Sequence, residues 1–320
     1  MKNDIPPVKV LLHAGIEIVQ TIIGWGNLPL RKLAKELGIN PVAFKDPNNL
    51  SRGIDELCHK YAVYTLKREF GDKLFIYGEE ARTPHSLASV KRTVAIFDAV
   101  DGTDLVARGF QNWCSALVFF HPAEKKILAA VVGHSSGSIY YASSKGARKK
   151  TLGDEKTKTT NRSLKRSAKE KLQLEHASIC FYGQKPAAFL ANSAALVDLL
   201  QEFGTRMSNK ETLRFRLYNF AGNPMMVKIP DRTVDLVFET RGQRAHDVIP
   251  GAYIAIQAGA VLTDLEGKPI DLADSLLSPY GRLTYILAAT GSLAEQLKTK
   301  LRKPSIKSQD TVAEEADFYE

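Results

Sequence analysis

Cysteine is scarce in this sequence: three cysteines occur among 320 residues, and they stand far apart. Cys58, Cys114 and Cys180 lack the close spacing of a cysteine-based metal knuckle or a redox motif. The pattern therefore excludes such a site and predicts reduced, mostly buried thiols.

Long apolar runs are missing as well. The longest, CSALVFF and ILAAVVG, have the length of strands and fall short of the roughly 18 residues that cross a bilayer. The N-terminus lacks the basic region and unbroken apolar core of a signal peptide. We therefore expect a cytoplasmic protein without a membrane span. The hydrophobic share of 44% suffices for a substantial core in one large or two closely packed domains.

Positive charge is concentrated in one segment of the chain. Between Lys145 and Lys171, 11 Lys or Arg residues stand against three acids, so this segment carries +8 of the total net charge of +9. It has almost no large apolar side chains and cannot form a core of its own. We expect a mobile surface loop. A solvated loop and an arm that binds an anionic partner, such as nucleic acid or an anionic membrane, are the two alternatives.

The first half of the chain reads as helices followed by strands. Apolar residues at helical spacing follow Pro6 and Pro7 and predict a first helix, and a second is expected from about Gly53 to Phe70. Strands are expected at KLFIYGEE, TVAIFDAVDGT, CSALVFFHP, KILAAVVGH and SIYYAS, the third and fourth as a hairpin across Pro122. This order is typical of an α+β arrangement.

The second half alternates strands with helices, which favours an α/β unit. Strands are expected at LEHASICFYG, LRFRLYNF, TVDLVFE, AVLTD and LTYILAAT. Helices are expected at PAAFLANSAALVDLLQEFG, from Asp247 to about Gln257, and at SLAEQLKTKLR. We therefore divide the chain into an N-terminal half, 1–175, with a basic insertion at 145–171, a C-terminal half, 176–303, and a polar tail, 304–320.

Acidic residues stand at the ends of three predicted elements. Carboxylates placed there are hard to explain by packing, because an unpaired buried charge is strongly penalised. Hard divalent cations take oxygen ligands, and two such ions about 4 Å apart can serve one displacement reaction. The sequence therefore predicts a divalent-metal site, and the acids in question are Glu79, Glu80, Asp98, Asp101 and Asp247.

Three blocks of the sequence resemble the signature blocks of the inositol monophosphatase family. They are YGEE (Tyr77 to Glu80), DAVDGT (Asp98 to Thr103) and AHDVIPGAYIAIQAGAVLTDLEGKPIDL (Ala245 to Leu272). Their order and separations agree with the family, whose superfamily includes fructose-1,6-bisphosphatases and bisphosphate nucleotidases. The resemblance implies a layered α-β-α-β-α sandwich of the sugar phosphatase type. It also implies a magnesium-dependent, lithium-sensitive phosphomonoesterase that forms a homodimer.

The resemblance also implies roles for single residues. Two or three Mg²⁺ ions would be held by Glu79, Asp98, the Val100 carbonyl, Asp101 and Asp247. Thr103, together with Asp55 or Glu79, would position the metal-activated water that attacks phosphorus. The assignment of Asp55 rests on its distance before the glutamates, since the residues around it depart from the family pattern.

The predicted phosphate and substrate contacts lie in three places. Backbone N–H groups at Gly102 and Thr103, where a helix should begin, could hold a phosphate. Gly222 and Asn223 match the family turn beside the substrate, with Asn223 in place of a hydroxyl residue. Glu239 resembles the acid that grips substrate hydroxyls, but it stands one residue further from Asp247 than expected.

Several departures from the family pattern concern the substrate. Asp104 is acidic where nucleotidase relatives often have Lys, and it is the first candidate for substrate choice. His246 replaces a usual Trp and is favoured as a packed neighbour over a ligand. Ala99, Pro250 and Ala260 differ as well.

We expect hydrolysis of inositol monophosphate or a related sugar phosphate. Fructose-1,6-bisphosphate and 3′-phosphoadenosine 5′-phosphate are alternative substrates. An alternative of another class is a non-catalytic binding or regulatory protein that uses residues 145–171.

Overall fold

The computed structural model describes residues 5–28, 47–78, 86–153, 158–167 and 169–302. Its helices in chain order are α1 (Val8–Gly26), α2 (Pro47–Phe70), α3 (Thr103–Ala107), α4 (Pro186–Ala195), α5 (Val197–Ser208), α6 (Asn223–Met226), α7 (Ala245–Gln257), α8 (Leu272–Leu276) and α9 (Gly291–Lys300). Its strands are β1 (Leu74–Gly78), β2 (Thr93–Asp101), β3 (Cys114–His121), β4 (Lys126–His134), β5 (Ser138–Ser143), β6 (Gly146–Thr151), β7 (Thr160–Leu164), β8 (Ser178–Phe181), β9 (Arg216–Tyr218), β10 (Leu236–Arg244), β11 (Val261–Thr263) and β12 (Arg282–Ala288). Short 3-10 helices cover Gly71–Lys73, Pro122–Glu124 and Leu174–His176.

The strands β1 to β7 form one sheet in the order of the sequence. β1 and β2 run parallel, and every later neighbour is antiparallel. The predicted hairpin across Pro122 is confirmed, because β3 and β4 pair on either side of that turn. β2 is buried from Thr93 to Val100, and only its last residue, Asp101, is partly exposed. The first acid of this strand, Asp98, is therefore buried, and the second, Asp101, lies at its partly exposed end.

The second sheet has the order β11-β12-β10-β8-β9. β8 runs parallel to β9 and β10, whereas β12 runs antiparallel to β10 and β11. The helices α4 and α5 stand between β8 and β9 in the chain, as the predicted alternation requires. The result is a mixed sheet.

Three apolar cores separate five layers. The first lies between α1, α2 and one face of the first sheet. The second fills the space between that sheet, α7 and the second sheet. The third lies between the second sheet, α5 and α9. The order is therefore α-β-α-β-α, which confirms the predicted sandwich. α7 lies in the middle layer, which explains why it is apolar on nearly every side.

The expectation that no segment could span a membrane needs a correction at α1. This helix of 19 residues is long and apolar enough to cross a bilayer by length and composition, although its sequence is not one unbroken apolar run. The same test is passed by a core helix of a soluble protein and by a signal sequence, so it is weak evidence. In this fold one face of α1 is buried in the first core, through Leu11, Ala14, Ile18, Val19, Ile22 and Ile23.

The prediction of a loop for the basic segment was wrong. Half of its described residues form β6 and β7, which extend the first sheet. Two apolar residues, Ala147 and Leu164, face each other across these strands and are buried. Lys149 and Arg162, the next pair on that face, both contact Asp231. These two strands are thus anchored by a few apolar side chains and by Asp231, an acid from the other half of the chain. The sequence alone does not reveal these contacts.

Lys228 lies near Asp231, and we expect it to lower the free energy of unfolding. Its Nζ donates to Tyr140 Oη at 3.3 Å, and burial followed by the charge of Lys149 lowers the pKa of Lys228 to about 8. The folded state therefore disfavours the charged lysine below about pH 8, and this penalty fades as the pH rises toward the unfolded value of about 10.4.

Replacing this lysine by methionine tests that effect. We expect Lys228→Met to raise the free energy of unfolding at pH 7 by about 1 kcal/mol, since the side chain is only half-buried, and to gain less at pH 10. Urea unfolding at both pH values measures the gain, with the exposed Lys126→Met as a control that should gain nothing. A gain that grows with pH would contradict the assignment.

Other element boundaries also differ from the predictions. The helix expected across PAAFLANSAALVDLLQEFG is divided at Leu196 into α4 and α5 by a tightened turn, in which Leu196 N donates to the Ser193 carbonyl oxygen. The strand expected at LRFRLYNF is confined to β9, and α8 was missed. α2 begins six residues earlier than predicted and ends at the predicted Phe70. The predicted polar tail lies outside the described residues.

Candidate active site

The two acids of β2 are brought to one side of the sheet by a β-bulge. Asp98 lies opposite Ala116 and Asp101 opposite Cys114, so three steps on β2 match two steps on β3. In a regular strand, residues three apart point to opposite faces, and the extra residue in a bulge removes that opposition. Asp98 is 5% exposed, and its Oδ1 accepts a hydrogen bond from Val100 N at 3.0 Å.

The acid of α7 joins these two around the thiol of Cys114. Burial raises the pKa of Cys114 well above its usual value, and the negative charges of Asp101, Asp98 and Asp247 raise it further. The sulfur lies 3.9 Å from Asp101 Oδ2. Two of the three sequence blocks, more than 140 residues apart in the chain, therefore meet at this point.

A glycine lies close to two of these residues and leaves little room for a side chain. Gly222 has a φ of +75°, and a Cβ built on it would lie 3.3 Å from Asp101 Oδ2 and 3.6 Å from the carbonyl oxygen of Asp247. The amide Nε2 of Gln243 lies 3.6 Å from the same point. Both the backbone angle and the space favour glycine here.

The donor set fits a hard cation. Carboxylates and a backbone carbonyl are the oxygen ligands that Mg²⁺ and similar ions take. Glu79, which the resemblance adds to the set, and Glu80 lie outside the described residues. Within the described ranges, no group of three or more His, Cys, Asp or Glu side chains is placed so that it could hold a metal ion by itself. Asp98, Asp101 and Asp247 are thus a part of the predicted ligand set.

Thr103 begins α3 directly after these ligands. Its hydroxyl donates to the Val100 carbonyl oxygen over 3.4 Å, and the side chain is half-buried. α3 has five residues, so its dipole contributes less to binding a phosphate at Gly102 and Thr103 than the sequence led us to expect. Asp55 is half-buried on α2, which packs against β2 and α3. Its partnership with Thr103 stays a prediction.

Glu239, the predicted contact to substrate hydroxyls, is held in place by hydrogen bonds. It is 1% exposed, and its two oxygens accept from Asn192 Nδ2 at 3.1 Å and from Arg241 N at 2.8 Å. Burial raises the pKa of Glu239, and these hydrogen bonds oppose the shift. The pairing of β10 with β12 is irregular between Glu239 and Gln243.

Tyr182, which we did not predict, lies among the acids of the site. Burial raises the pKa of its phenol, and the charges of Asp101, Asp104, Asp247 and Glu239 raise it further. The signal for it was the one used for the acids, namely a polar group directly after a buried strand. Asp104 itself is exposed on the first turn of α3.

Gln243 is a second residue that sequence reasoning missed. Tyr285 Oη donates to Gln243 Oε1 at 2.6 Å, which fixes the amide with its Nε2 toward Gly222. No spacing rule marks this glutamine in the sequence, because its role depends on the irregular end of β10.

Asn223 does not face the substrate as predicted. It is fully buried, its Nδ2 donates to the His246 carbonyl oxygen at 3.1 Å, and its Oδ1 accepts from Gly251 N at 2.8 Å. His246 is 1% exposed, with Nε2 3.1 Å from Asp247 Oδ1. It is the packed neighbour that we favoured over a ligand.

Comparison with known proteins extends the match over most of the chain. The sequence model of the inositol monophosphatase family matches residues 17–304. A search of curated proteins finds no match. Known structures match the fold at low sequence identity.

Three of these structures illustrate the likeness. SuhB of Mycobacterium tuberculosis has a TM-score of 0.61 and 16% identity, with 90% of this chain and 94% of that chain covered. Inositol monophosphatase II of Staphylococcus aureus MSSA476 has a TM-score of 0.60 and 16% identity, with 95% and 98% covered. SaIMPase-II with inositol monophosphate bound has a TM-score of 0.59 and 15% identity, with 90% and 92% covered. At these identities the structures support the fold alone.

Proposed function

Because the chain belongs to the inositol monophosphatase family, and is thus a phosphatase of this superfamily, we propose that it hydrolyses inositol monophosphate or a related sugar phosphate with Mg²⁺. The observation that carries this proposal is the convergence of Asp98, Asp101 and Asp247 around one buried thiol. Three like charges at one place are the environment that a divalent cation stabilises.

The residues that would hold two or three Mg²⁺ ions are Glu79, Asp98, the Val100 carbonyl, Asp101 and Asp247. When bound, Mg²⁺ supplies positive charge against the phosphoryl oxygens and the leaving oxygen. Cys114 is kept protonated by its surroundings, so it adds no negative charge to this set.

The protein's own groups position the reactants. The Thr103 hydroxyl, oriented by the Val100 carbonyl, would hold the attacking water, with Asp55 or Glu79 as proton acceptor. Gly222 would let its turn lie close to Asp101 and Asp247, since a Cβ at this position would be only 3.3 Å from Asp101 Oδ2. Catalysis would then consist mainly of positioning and electrostatic stabilisation.

The substrate would lie between Glu239, Tyr182 and Asp104. Four acids influence the Tyr182 phenol, so this side of the site suits a polyol with many hydroxyl donors better than a second phosphate. The bisphosphate alternatives are less favoured because Lys149 and Arg162 of the basic segment contact Asp231.

Glu239 is expected to act on substrate affinity. Glu239→Gln should raise KM for inositol monophosphate about tenfold, since a charge-assisted hydrogen bond to a hydroxyl is lost, and should leave KM for p-nitrophenyl phosphate within about twofold. Steady-state kinetics with both substrates measures the difference. Equal effects on the two substrates would show that the carboxylate does not contact the polyol.

Phosphate release from a substrate panel tests the proposed function. The panel contains inositol monophosphate, fructose-1,6-bisphosphate and 3′-phosphoadenosine 5′-phosphate, each with Mg²⁺ and with EDTA. We expect Mg²⁺-dependent release that is fastest from inositol monophosphate. Inactivity on all three would favour the alternative of a non-catalytic binding protein. A homodimer, lithium inhibition, a cytoplasmic location and an anionic partner for residues 145–171 are further proposals that rest on the sequence.

A further inference from the structure

A proline stands inside α7 close to the candidate metal ligand. Pro250 lies three residues after Asp247 and has no N–H. In a regular helix the N–H of residue 250 would donate to the carbonyl of His246, four residues earlier. A proline at this position therefore leaves the His246 carbonyl without its helical donor, in a helix that is buried on nearly all sides.

The amide of Asn223 supplies the missing donor. Its Nδ2 donates to the His246 carbonyl oxygen at 3.1 Å, and its Oδ1 accepts from Gly251 N at 2.8 Å. In a regular helix the N–H of Gly251 would donate to the Asp247 carbonyl. One side chain therefore hydrogen-bonds to the backbone on both sides of Pro250 and supplies the donor that the proline lacks.

A third residue permits this arrangement. A Cβ built on Gly251 would lie 3.0 Å from Asn223 Cα and 3.1 Å from Asn223 O. Contacts this short leave little room for a side chain. Asn223, Pro250 and Gly251 are thus matched to one another.

This matched set joins the two segments that form the site. Asn223 follows Gly222, where a Cβ would lie 3.3 Å from Asp101 Oδ2 and 3.6 Å from the Asp247 carbonyl oxygen. The carbonyl that Asn223 binds belongs to His246, whose ring lies 3.1 Å from Asp247 Oδ1. A shift of the Asn223 amide would therefore move the start of α7 relative to the Gly222 turn.

We propose that Asn223 is a positioning residue, coupled to Pro250, that holds Asp247 in place for metal binding. The effect of Asn223 on Mg²⁺ binding rests on the proposed function. The coupling between Asn223 and Pro250 does not, because it depends only on the hydrogen bonds of Asn223 to α7. It also accounts for two departures from the family pattern, at positions 223 and 250, as one compensated change.

A double-mutant cycle tests the proposal. Asn223→Ala should weaken Mg²⁺ binding about 10- to 100-fold, the range typical of groups that orient metal ligands. Pro250→Ala should change it less than about threefold. The double variant should return to within about threefold of the parent, because an alanine in place of Pro250 restores the backbone N–H that donates to the His246 carbonyl. Calorimetric titration of Mg²⁺ measures binding without turnover, and urea unfolding of the same four proteins measures the coupling.

A remote cap serves as the matched control. Thr290→Ala removes a buried oxygen that accepts from Leu293 N at 3.2 Å at the start of α9. It should lower stability and leave Mg²⁺ binding unchanged. If Asn223→Ala behaves like this control, or if the double variant binds no better than Asn223→Ala, the proposal is wrong.

Two further outcomes are also decisive. Should Asn223→Ala not fold, Asn223→Ser takes its place. The serine hydroxyl is too short to reach both the His246 carbonyl and Gly251 N. Pro250→Ala should therefore rescue this variant in the same way. If the parent itself binds no Mg²⁺, the proposed function fails. Additive urea midpoints would then refute the coupling as well, and non-additive midpoints would retain it.

Discussion

Replacing Asp247 by asparagine is expected to lower kcat by about 10³-fold or more, because a metal ligand supplies several kcal/mol of transition-state stabilisation. The asparagine keeps the shape of the side chain and one oxygen near His246 but removes the charge. Asp247 is only partly exposed, 26% for its side chain, and lies with Asp101 and Asp98 around Cys114. Its loss should therefore act on metal binding more than on folding.

The Asp247→Asn experiment needs a control of the same chemistry. Asp198→Asn is suitable, since Asp198 is exposed on α5, remote from the acids of the site. Steady-state kinetics over a range of Mg²⁺ concentrations, together with thermal unfolding, separates the effects. An Asp247→Asn variant that keeps the parent's kcat and Mg²⁺ dependence would remove this residue from the ligand set.

Thr103→Val is expected to lower kcat about 10²- to 10³-fold, within the range of general acid–base contributions. Valine has nearly the shape of threonine but no hydroxyl, so it can neither donate to the Val100 carbonyl nor orient a water. Thr103→Ser is the matched control, because it keeps the hydroxyl and should retain activity within about tenfold.

The two Thr103 variants also distinguish chemistry from structure. Thr103 starts a five-residue helix, and a purely structural role would affect thermal unfolding more than kcat. We expect the reverse. If the serine and valine variants lose activity equally, the hydroxyl is not the relevant group.

Local patterns in the sequence predicted the acids of the candidate site. Asp98 and Asp101 come after an apolar run that predicts a strand, and Asp247 comes at the predicted start of a helix. These acids could therefore be placed at the ends of elements. The resemblance to a family then joined blocks that are distant in the chain, and the family match and the fold confirm it.

Features that depend on tertiary contacts could not be predicted. The bulge between Asp98 and Asp101 is defined by pairing with β3, and the role of Asn223 depends on a proline 27 residues later. The basic segment was misjudged for the same reason. Its strands are anchored by Asp231, an acid from the other half of the chain that no local pattern connects to them.

The most direct measurement of the central claim is phosphate release from inositol monophosphate by the parent protein and by Asp101→Asn. Asp101 lies close to both Cys114 and Gly222, so it is the acid most central to the site. We predict release by the parent with Mg²⁺, none with EDTA, and a loss of at least about 10³-fold in the variant. Release that persists in the variant and in EDTA would contradict a metal-dependent phosphatase site at these acids.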